Sequence, residues 1–326
     1  MKNKRLLLSF ITFITIAMVS NVCAQDVIRI GVAWTPSVNS NDRVMQAIKL
    51  GGGEPVILEQ VRPNTFEYDS ITLSSKYVDE YNVLLEKYAT QIKNITWHNS
   101  NVESVMKDID AVVFLGGGDI SSTLFREPQP WHCLPDDICN ATRDLSEYLT
   151  MSYCLDNDIP VLGLCRGMQM LAVVSGASMI QDLDTYYKNL GIEYNNLHRS
   201  LRDSDGNRHY LTHDVAITNH ASLLYNINLG DTIKNVPSWH HQVVGDIKGT
   251  NLIISGITKT QGVDIIEAIE RKDKTFALGV QFHPEEAVKK QLLNTEDDPN
   301  FMQLNEGVNY FRTLVNYCKR MKSSKN

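Results

Sequence analysis

One short run constrains this chain more than any other: Val161-Leu162-Gly163-Leu164-Cys165-Arg166-Gly167-Met168-Gln169-Met170-Leu171. An apolar segment of strand character arrives at Gly-x-Cys-x-Gly, and a segment of helical character leaves it. Glycines on both sides permit a tight, strained turn that holds the central side chain clear of the backbone. A cysteine so placed stands at a helix N-terminus, where the dipole and the free amide groups favour an anionic sulfur. That makes Cys165 a candidate nucleophile; the competing reading is a small buried core residue between strand and helix.

A nucleophilic Cys needs a base, and the base needs a third group to fix its tautomer. Far downstream, the apolar run from Phe276 to Phe282 ends on His283, and Pro284 stops it. Glu285 follows His283 by two positions across the proline turn, within reach of the imidazole. Glu286 competes for the same role.

Two further stretches carry signals of their own. Ala111-Val112-Val113-Phe114-Leu115 is a buried-strand pattern that opens onto Gly116-Gly117-Gly118, where bare backbone can turn amides toward a ligand. Ser238-Trp239-His240-His241-Gln242 holds two adjacent histidines. On a strand their side chains would face opposite ways, so they would not bind one metal ion together. No other His or Cys spacing reads as a zinc site, and no metal or cofactor is expected.

These four segments, in this order, resemble the class I glutamine amidotransferase-like superfamily, and within it the peptidase C26 branch, across roughly residues 28–317. The resemblance implies a flavodoxin-like α/β fold: a doubly wound, mostly parallel sheet with helices on both faces. It implies a catalytic Cys165, His283 and Glu285, with the orienting carboxylate directly after His-Pro. It places the oxyanion hole on the backbone amides of Gly117 and Arg166, and Gln169, His240 and His241 beside the substrate. The implied reaction is hydrolysis of γ-glutamyl amide bonds on a small-molecule substrate. The chain departs from the branch after Asp119-Ile120, where a proline is expected near Ser122; this bears on the pocket rim, not on the backbone donors.

The N-terminus carries Lys2, Lys4 and Arg5, then an apolar stretch from Leu6 to Val19, then Val22-Cys23-Ala24. That is the layout of a secretory signal peptide cleaved after Ala24, with residues 25–321 forming one hydrolase domain and 322–326 a frayed tail. The stretch is short for a membrane span of about 20 residues. Lipid attachment at Cys23 is the less favoured anchor, because Asn21 and Val22 precede it. The mature chain is then exported, periplasmic or extracellular, with no transmembrane span. Loss of the three leader cations would take the formal charge from −7 to about −10. Scattered Lys and Arg offer no basic stripe for nucleic acid. A homodimer stays open.

Cys133, Cys139, Cys154, Cys165 and Cys318 would remain after cleavage. An odd number in an exported chain suggests pairs plus one free thiol, with Cys165 the odd one out. Cys133 and Cys139 could close a small loop, while a fully reduced set is the alternative.

Strand and helix patterns alternate from Val27–Trp34 through the helix 42–50 and the strand from Glu54, as in a parallel sheet. Tyr77–Ile92 has helical spacing, with Val78, Tyr81, Leu84, Leu85 and Tyr88 on one face. The segment 62–97 reads as an insertion beside the pocket. Cys139–Leu155 reads as a helix packed on the sheet. From Leu211 to Phe282 the pattern is strand-rich, and Phe301–Met321 reads as a closing helix. The segment 189–213 resists assignment; His198, Arg199 or Arg202 could meet a substrate carboxylate there, although such charge runs are more often solvated surface.

Two rival readings stand beside the hydrolase. A glutaminase delivering ammonia to a synthase would need an ATP-driven acceptor; the chain has no P-loop run, and export would separate it from cytoplasmic ATP. A non-catalytic binding protein on the same fold is disfavoured by the intact Cys, His and Glu.

Overall fold

The structure is a computed structural model that describes residues 27–36, 41–132, 139–293 and 298–325. The leader reading and Cys133 fall outside these residues. Nine strands build the main sheet: β1 (Arg29–Val32), β2 (Glu54–Ile57), β3 (Ala111–Phe114), β4 (Val161–Leu164), β5 (Leu211–Ile217), β6 (Thr232–Ser238), β7 (Leu252–Thr260), β8 (Val263–Arg271) and β9 (Ala277–Val280). Their spatial order is β2-β1-β3-β4-β9-β8-β7-β5-β6. The first five run parallel, and from β9 onward every pairing is antiparallel.

Residue character follows this division. β3, β4 and β9 are buried at every position, as parallel strands covered on both faces require. Val112 and Phe114 enter one core, Ala111 and Val113 the other, because successive side chains face opposite sides. On one face lie the helices α3 (Ala141–Asp156) and α4 (Arg166–Val174); on the other lie α1 (Asn41–Leu50) and α5 (Leu304–Lys325), with α2 (Glu86–Ile95) belonging to the first face. In β5 burial alternates toward its end, as expected of an antiparallel strand with one wet face. The doubly wound α/β expectation therefore holds for the parallel half of a mixed sheet. No described helix is long and apolar enough to cross a membrane.

Two sequence expectations need correction and one needs refinement. The helix drawn over 77–92 begins only at Glu86. Before it, Asp79 Oδ1 accepts the amides of Tyr81 and Val83 at 2.9 Å each, and Asn82 sits at φ 62°. A short side chain that satisfies amides two and four residues on stabilises a turn in place of a helix. Tyr81, expected on the buried face, is 48% exposed.

The segment 62–97 contributes no residue to the lining of the pocket described below, but its Leu84 amide bonds Ser121 Oγ at 3.0 Å, two residues beyond the rim residue Asp119. It packs on α3. The Leu73 amide donates to Thr142 Oγ1 at 2.9 Å, and the preceding Val61 amide donates to Ser146 Oγ at 3.0 Å. Phe66 stacks on Tyr77 at 4.6 Å.

Finally, the tail is helical through Lys325 rather than frayed from 322. Lys322 Nζ bonds Asp110 Oδ2 at 2.9 Å, the carboxylate that also accepts the Arg29 amide. One anchor thus ties the last helical turn to the start of β1.

The docking of 62–97 predicts a specific cost. Thr142→Val keeps shape but leaves the buried Leu73 amide without its acceptor. Urea unfolding should show a loss of about 1–3 kcal/mol; no loss would mean that this contact does not hold the segment.

Candidate active site

Parallel β3, β4 and β9 end on one edge of the sheet, and each delivers part of one site. This is where open α/β sheets place ligands. At the end of β4, Cys165 takes φ 49° and ψ −104° and caps α4. A β-carbon added at Gly163 would lie 2.5 Å from the Gly167 carbonyl carbon. Side chains at 163 would therefore force strand and helix apart, and the glycine is what lets the turn close. The Cys165 amide bonds Val280 O at 2.8 Å, which registers the elbow against β9.

After β9 comes His283. Its Nδ1 lies 2.8 Å from Glu285 Oε1, and both side chains are 8% exposed. Its backbone amide bonds Pro237 O at 2.9 Å, and the Tyr210 ring packs edge-on at 5.2 Å. Burial presses the imidazole toward its neutral form. Tyr210, Glu285 and Cys165 more than reverse this and raise its pKa well above the ordinary value. The strand-end loop after β3 completes the group: a β-carbon on Gly116 would stand 2.6 Å from His283 Cε1 and 3.5 Å from Cys165 Cβ.

Glu286 points elsewhere. It forms ion pairs with Arg43 and, at 3.8 Å, with Lys289. At 3% exposure it is a buried structural partner rather than the solvated charge that a turn after Pro284 suggests.

Gln281 Nε2 approaches Cys165 Sγ at 3.5 Å. Gln169 Nε2 donates to Gln242 O at 2.7 Å and to Gln281 Oε1 at 3.3 Å. Gln169 lines the pocket, as expected, but its amide is committed to shaping the floor under the sulfur.

The opposite wall is the segment after β6. Trp239, His240, His241 and Gln242 join Gly117, Gly118, Asp119, Cys165, Arg199, Tyr210 and His283 around a cavity of about 320 Å³. His240 and His241 face different ways, as their adjacency implies. His241 Nε2 lies 3.1 Å from Asp119 Oδ2, and Nδ1 lies 3.1 Å from Asp182 Oδ1. Burial lowers the His241 pKa, but these two carboxylates override it and hold it at about 9. A cation therefore stands on the pocket wall at neutral pH, with Arg199 nearby. The His240 side chain is buried, its Nε2 3.6 Å from buried Glu267. Among 189–213, Arg199 lines the pocket and His198 is fully buried, so the solvated-surface reading fails at these two positions.

Behind the elbow lies a network not evident in the sequence. Arg166 Nη2 donates to Asp144 Oδ1 at 2.6 Å, and its Nε lies 3.4 Å from Glu147 Oε2. Arg143 Nε donates to Glu147 Oε1 at 2.7 Å, and its Nη2 to Leu115 O at 3.1 Å and Gly116 O at 2.9 Å. Asp144 Oδ2 accepts from Ser121 N and Oγ. The available signal was three charged residues on a helix expected to pack on the sheet.

No disulfide joins a described cysteine: Cys139, Cys154, Cys165 and Cys318 are free and buried. Cys139 Sγ meets Ser121 Oγ at 3.3 Å; the small loop closure expected with Cys133 falls outside the described residues.

The peptidase C26 family model matches residues 67–285 of this chain. The chain belongs to that family. It is 29% identical over 249 residues to a Mycobacterium tuberculosis protein provisionally named a glutamine amidotransferase, covering 73% of this chain and 72% of that one. It is 36% identical over 182 residues to the protein NtpR of Enterococcus hirae, covering 54% of this chain and 67% of the relative. A solved glutamine amidotransferase of Thermotoga maritima aligns at 14% identity with a TM-score of 0.43, over 91% of this chain and 97% of that one. The fold assignment rests on the sheet itself.

Two predictions follow from this geometry. Glu285→Gln should keep the melting temperature near the parent and lower turnover by about 10²–10⁴-fold, while Glu286→Gln should lower the melting temperature and leave turnover nearly unchanged. Reversal of that pattern in paired kinetic and melting measurements would remove Glu285 from the site. The second prediction concerns pH. A folded-state pKa of about 9 for His241, against about 6.5 when unfolded, makes its stabilising contribution complete below about 6.5 and lost as pH rises through 9. The stability gap between parent and His241→Gln, from urea unfolding, should shrink across that window; a constant gap would deny the assigned charge.

Proposed function

We propose that this protein is a cysteine-dependent hydrolase of γ-glutamyl amide bonds. The supporting observation is the 2.8 Å His283–Glu285 contact, with His283 lining the same cavity as a cysteine held at positive φ on a strand–helix elbow. A His fixed in one tautomer by a carboxylate, beside a thiol at a helix N-terminus, is the arrangement for acyl transfer to sulfur.

In this reading the Cys165 proton resides on His283, and the Sγ thiolate of that ion pair attacks the γ-carbonyl carbon. The amides of Gly117 and Arg166 stabilise the tetrahedral oxyanion. His283 then protonates the leaving amine, and the carbon–nitrogen bond breaks to leave a γ-glutamyl thioester. Water, deprotonated by His283, attacks the thioester and releases glutamate with the free thiol. Asp119, Arg199 and the His241 cation bring charge of both signs to the pocket wall, as the α-carboxylate and α-ammonium of a glutamyl head require.

The glutaminase reading uses the same chemistry on glutamine, with ammonia as the leaving group. The provisional name of the Mycobacterium tuberculosis relative favours keeping it. Purified protein should be assayed on γ-glutamyl amides, γ-glutamyl peptides, folate polyglutamates and free glutamine. Release of glutamate from γ-glutamyl amides or peptides in preference to glutamine is the expected result; turnover of glutamine alone would replace the hydrolase with a glutaminase. Cys165→Ala should fold normally and lose all measurable turnover, since the attacking group is gone. Substantial residual turnover in that variant would refute both readings.

A further inference from the structure

Behind the His240 wall, four side chains that no sequence spacing connects converge on one point. His198 comes from the irregular segment before β5, His213 from β5, His240 from the loop after β6, and Glu267 from β8. All four are buried, and one ligand-competent atom of each lies within 4.8 Å of all the others.

From Glu267 Oε1 the distances are 3.1 Å to His198 Nδ1, 3.6 Å to His213 Nε2 and 3.6 Å to His240 Nε2. Tetrahedral zinc with bonds of about 2.0–2.1 Å spaces its ligand atoms about 3.4 Å apart. Three edges of the required tetrahedron are therefore close to size, and the rest need a modest contraction.

The hydrogen-bond network gives an independent argument. Thr258 Oγ1 has one proton and donates it to Asp214 O at 2.8 Å. At 3.1 Å from the same hydroxyl, His213 Nδ1 must then be the donor. A neutral His213 consequently presents a bare Nε2 lone pair to a carboxylate oxygen. His198 is braced in the same way, with Nε2 2.9 Å from Thr260 Oγ1 while Nδ1 faces Glu267. His198 Nδ1, His213 Nε2, both ring nitrogens of His240 and both Glu267 oxygens lack a well-formed hydrogen bond. Burying that many unpaired polar atoms is costly. Unpaired nitrogens and carboxylate oxygens converging on one point, with the outer nitrogens of His198 and His213 held by threonine hydroxyls, are what a bound cation requires.

We propose that His198, His213, His240 and Glu267 form a closed, four-ligand site for a zinc-class divalent metal ion. Three neutral imidazoles and one carboxylate suit zinc, and a buried set with no open position suits a structural role. The ion would pin the wall rather than join the chemistry. Ser238 Oγ and the His240 amide both bond His198 O, at 3.0 and 2.9 Å, so the same four residues fix the loop that carries Trp239 and His241 into the pocket.

The test uses the full-length protein purified from zinc-supplemented growth. Elemental analysis should find about one metal per chain. Removal by a strong chelator should lower the melting temperature, and Co²⁺ added to the stripped protein should give the ligand-field bands of a tetrahedral, sulfur-free site. Thr258→Val, which removes only an outer-sphere partner, should weaken Co²⁺ binding about 10–100-fold; Glu267→Gln should abolish it. Cys165→Ala should keep the metal, which separates this site from the nucleophile. Metal-free protein that takes up neither Zn²⁺ nor Co²⁺ would overturn the proposal. So would a Co²⁺ spectrum that survives Glu267→Gln or disappears in Cys165→Ala. Should Glu267→Gln fail to fold, the parent stoichiometry and the Thr258→Val affinity decide. None of these readouts depends on the identity of the substrate.

Discussion

The site depends on two arginines and two carboxylates buried behind the elbow. Arg143 and Arg166 meet Asp144 and Glu147 in a charge-balanced set with almost no solvent contact. Taking such charges out of water is expensive, and the pairing only roughly offsets the expense. Removing one member would leave an uncompensated buried charge, costing about 3–5 kcal/mol. What the network contributes is position. Arg166 opens α4 directly after Cys165, and Arg143 holds the carbonyls of Leu115 and Gly116. One helix, α3, thereby fixes both backbone stretches that would face an oxyanion. An apolar core could supply equal stability there, but it could not grip carbonyl oxygens or orient the first turn of α4.

The two halves of the sheet divide the work. Parallel strands β3, β4 and β9 place three loops at one edge, and fixed register holds the Cys, the His and the glycine loop together. The antiparallel half contributes the far wall. There the loop 239–242 is held by the Leu183 amide on His241 O at 2.9 Å, by the Ile120 amide on Gln242 Oε1 at 3.3 Å, and by the contacts of His240 and His241. A wall restrained at that many points presents its charges at fixed distances from Cys165, as preorganised catalysis would demand.

The Cys–His–Glu half of the candidate site was legible in the sequence because it is local. Gly163-x-Cys165-x-Gly167 and His283-Pro284-Glu285 each place their chemistry within a few residues, and strand–turn–helix patterning leaves little freedom in between. The parallel strands were legible for the same reason, as unbroken apolar runs. What escaped was non-local or decided by a single side chain. The Asp79 turn overrode a good helical period through hydrogen bonds to the Tyr81 and Val83 amides. Lys322 turned an apparent frayed end into an anchored helix by reaching Asp110. Glu286, one residue from the carboxylate that meets His283, found Arg43 more than two hundred positions away. The His198, His213, His240 and Glu267 cluster draws on four segments, so no ligand spacing exists to be read.

His240 and His241 show how much one residue step can separate. Adjacent side chains leave the backbone on opposite sides, so the pair straddles the pocket wall. His241 meets two carboxylates and is held as a cation facing the cavity. His240 meets a carboxylate and two other imidazoles in a closed interior. The first arrangement places charge where a charged substrate end can use it. The second fixes the backbone from which that charge projects. Exchanging the two environments would need only a register slip of one residue, and the His198 carbonyl, bonded to both Ser238 Oγ and the His240 amide, opposes that slip. The electrostatics of the pocket thus depend on a buried anchor that need not touch the substrate.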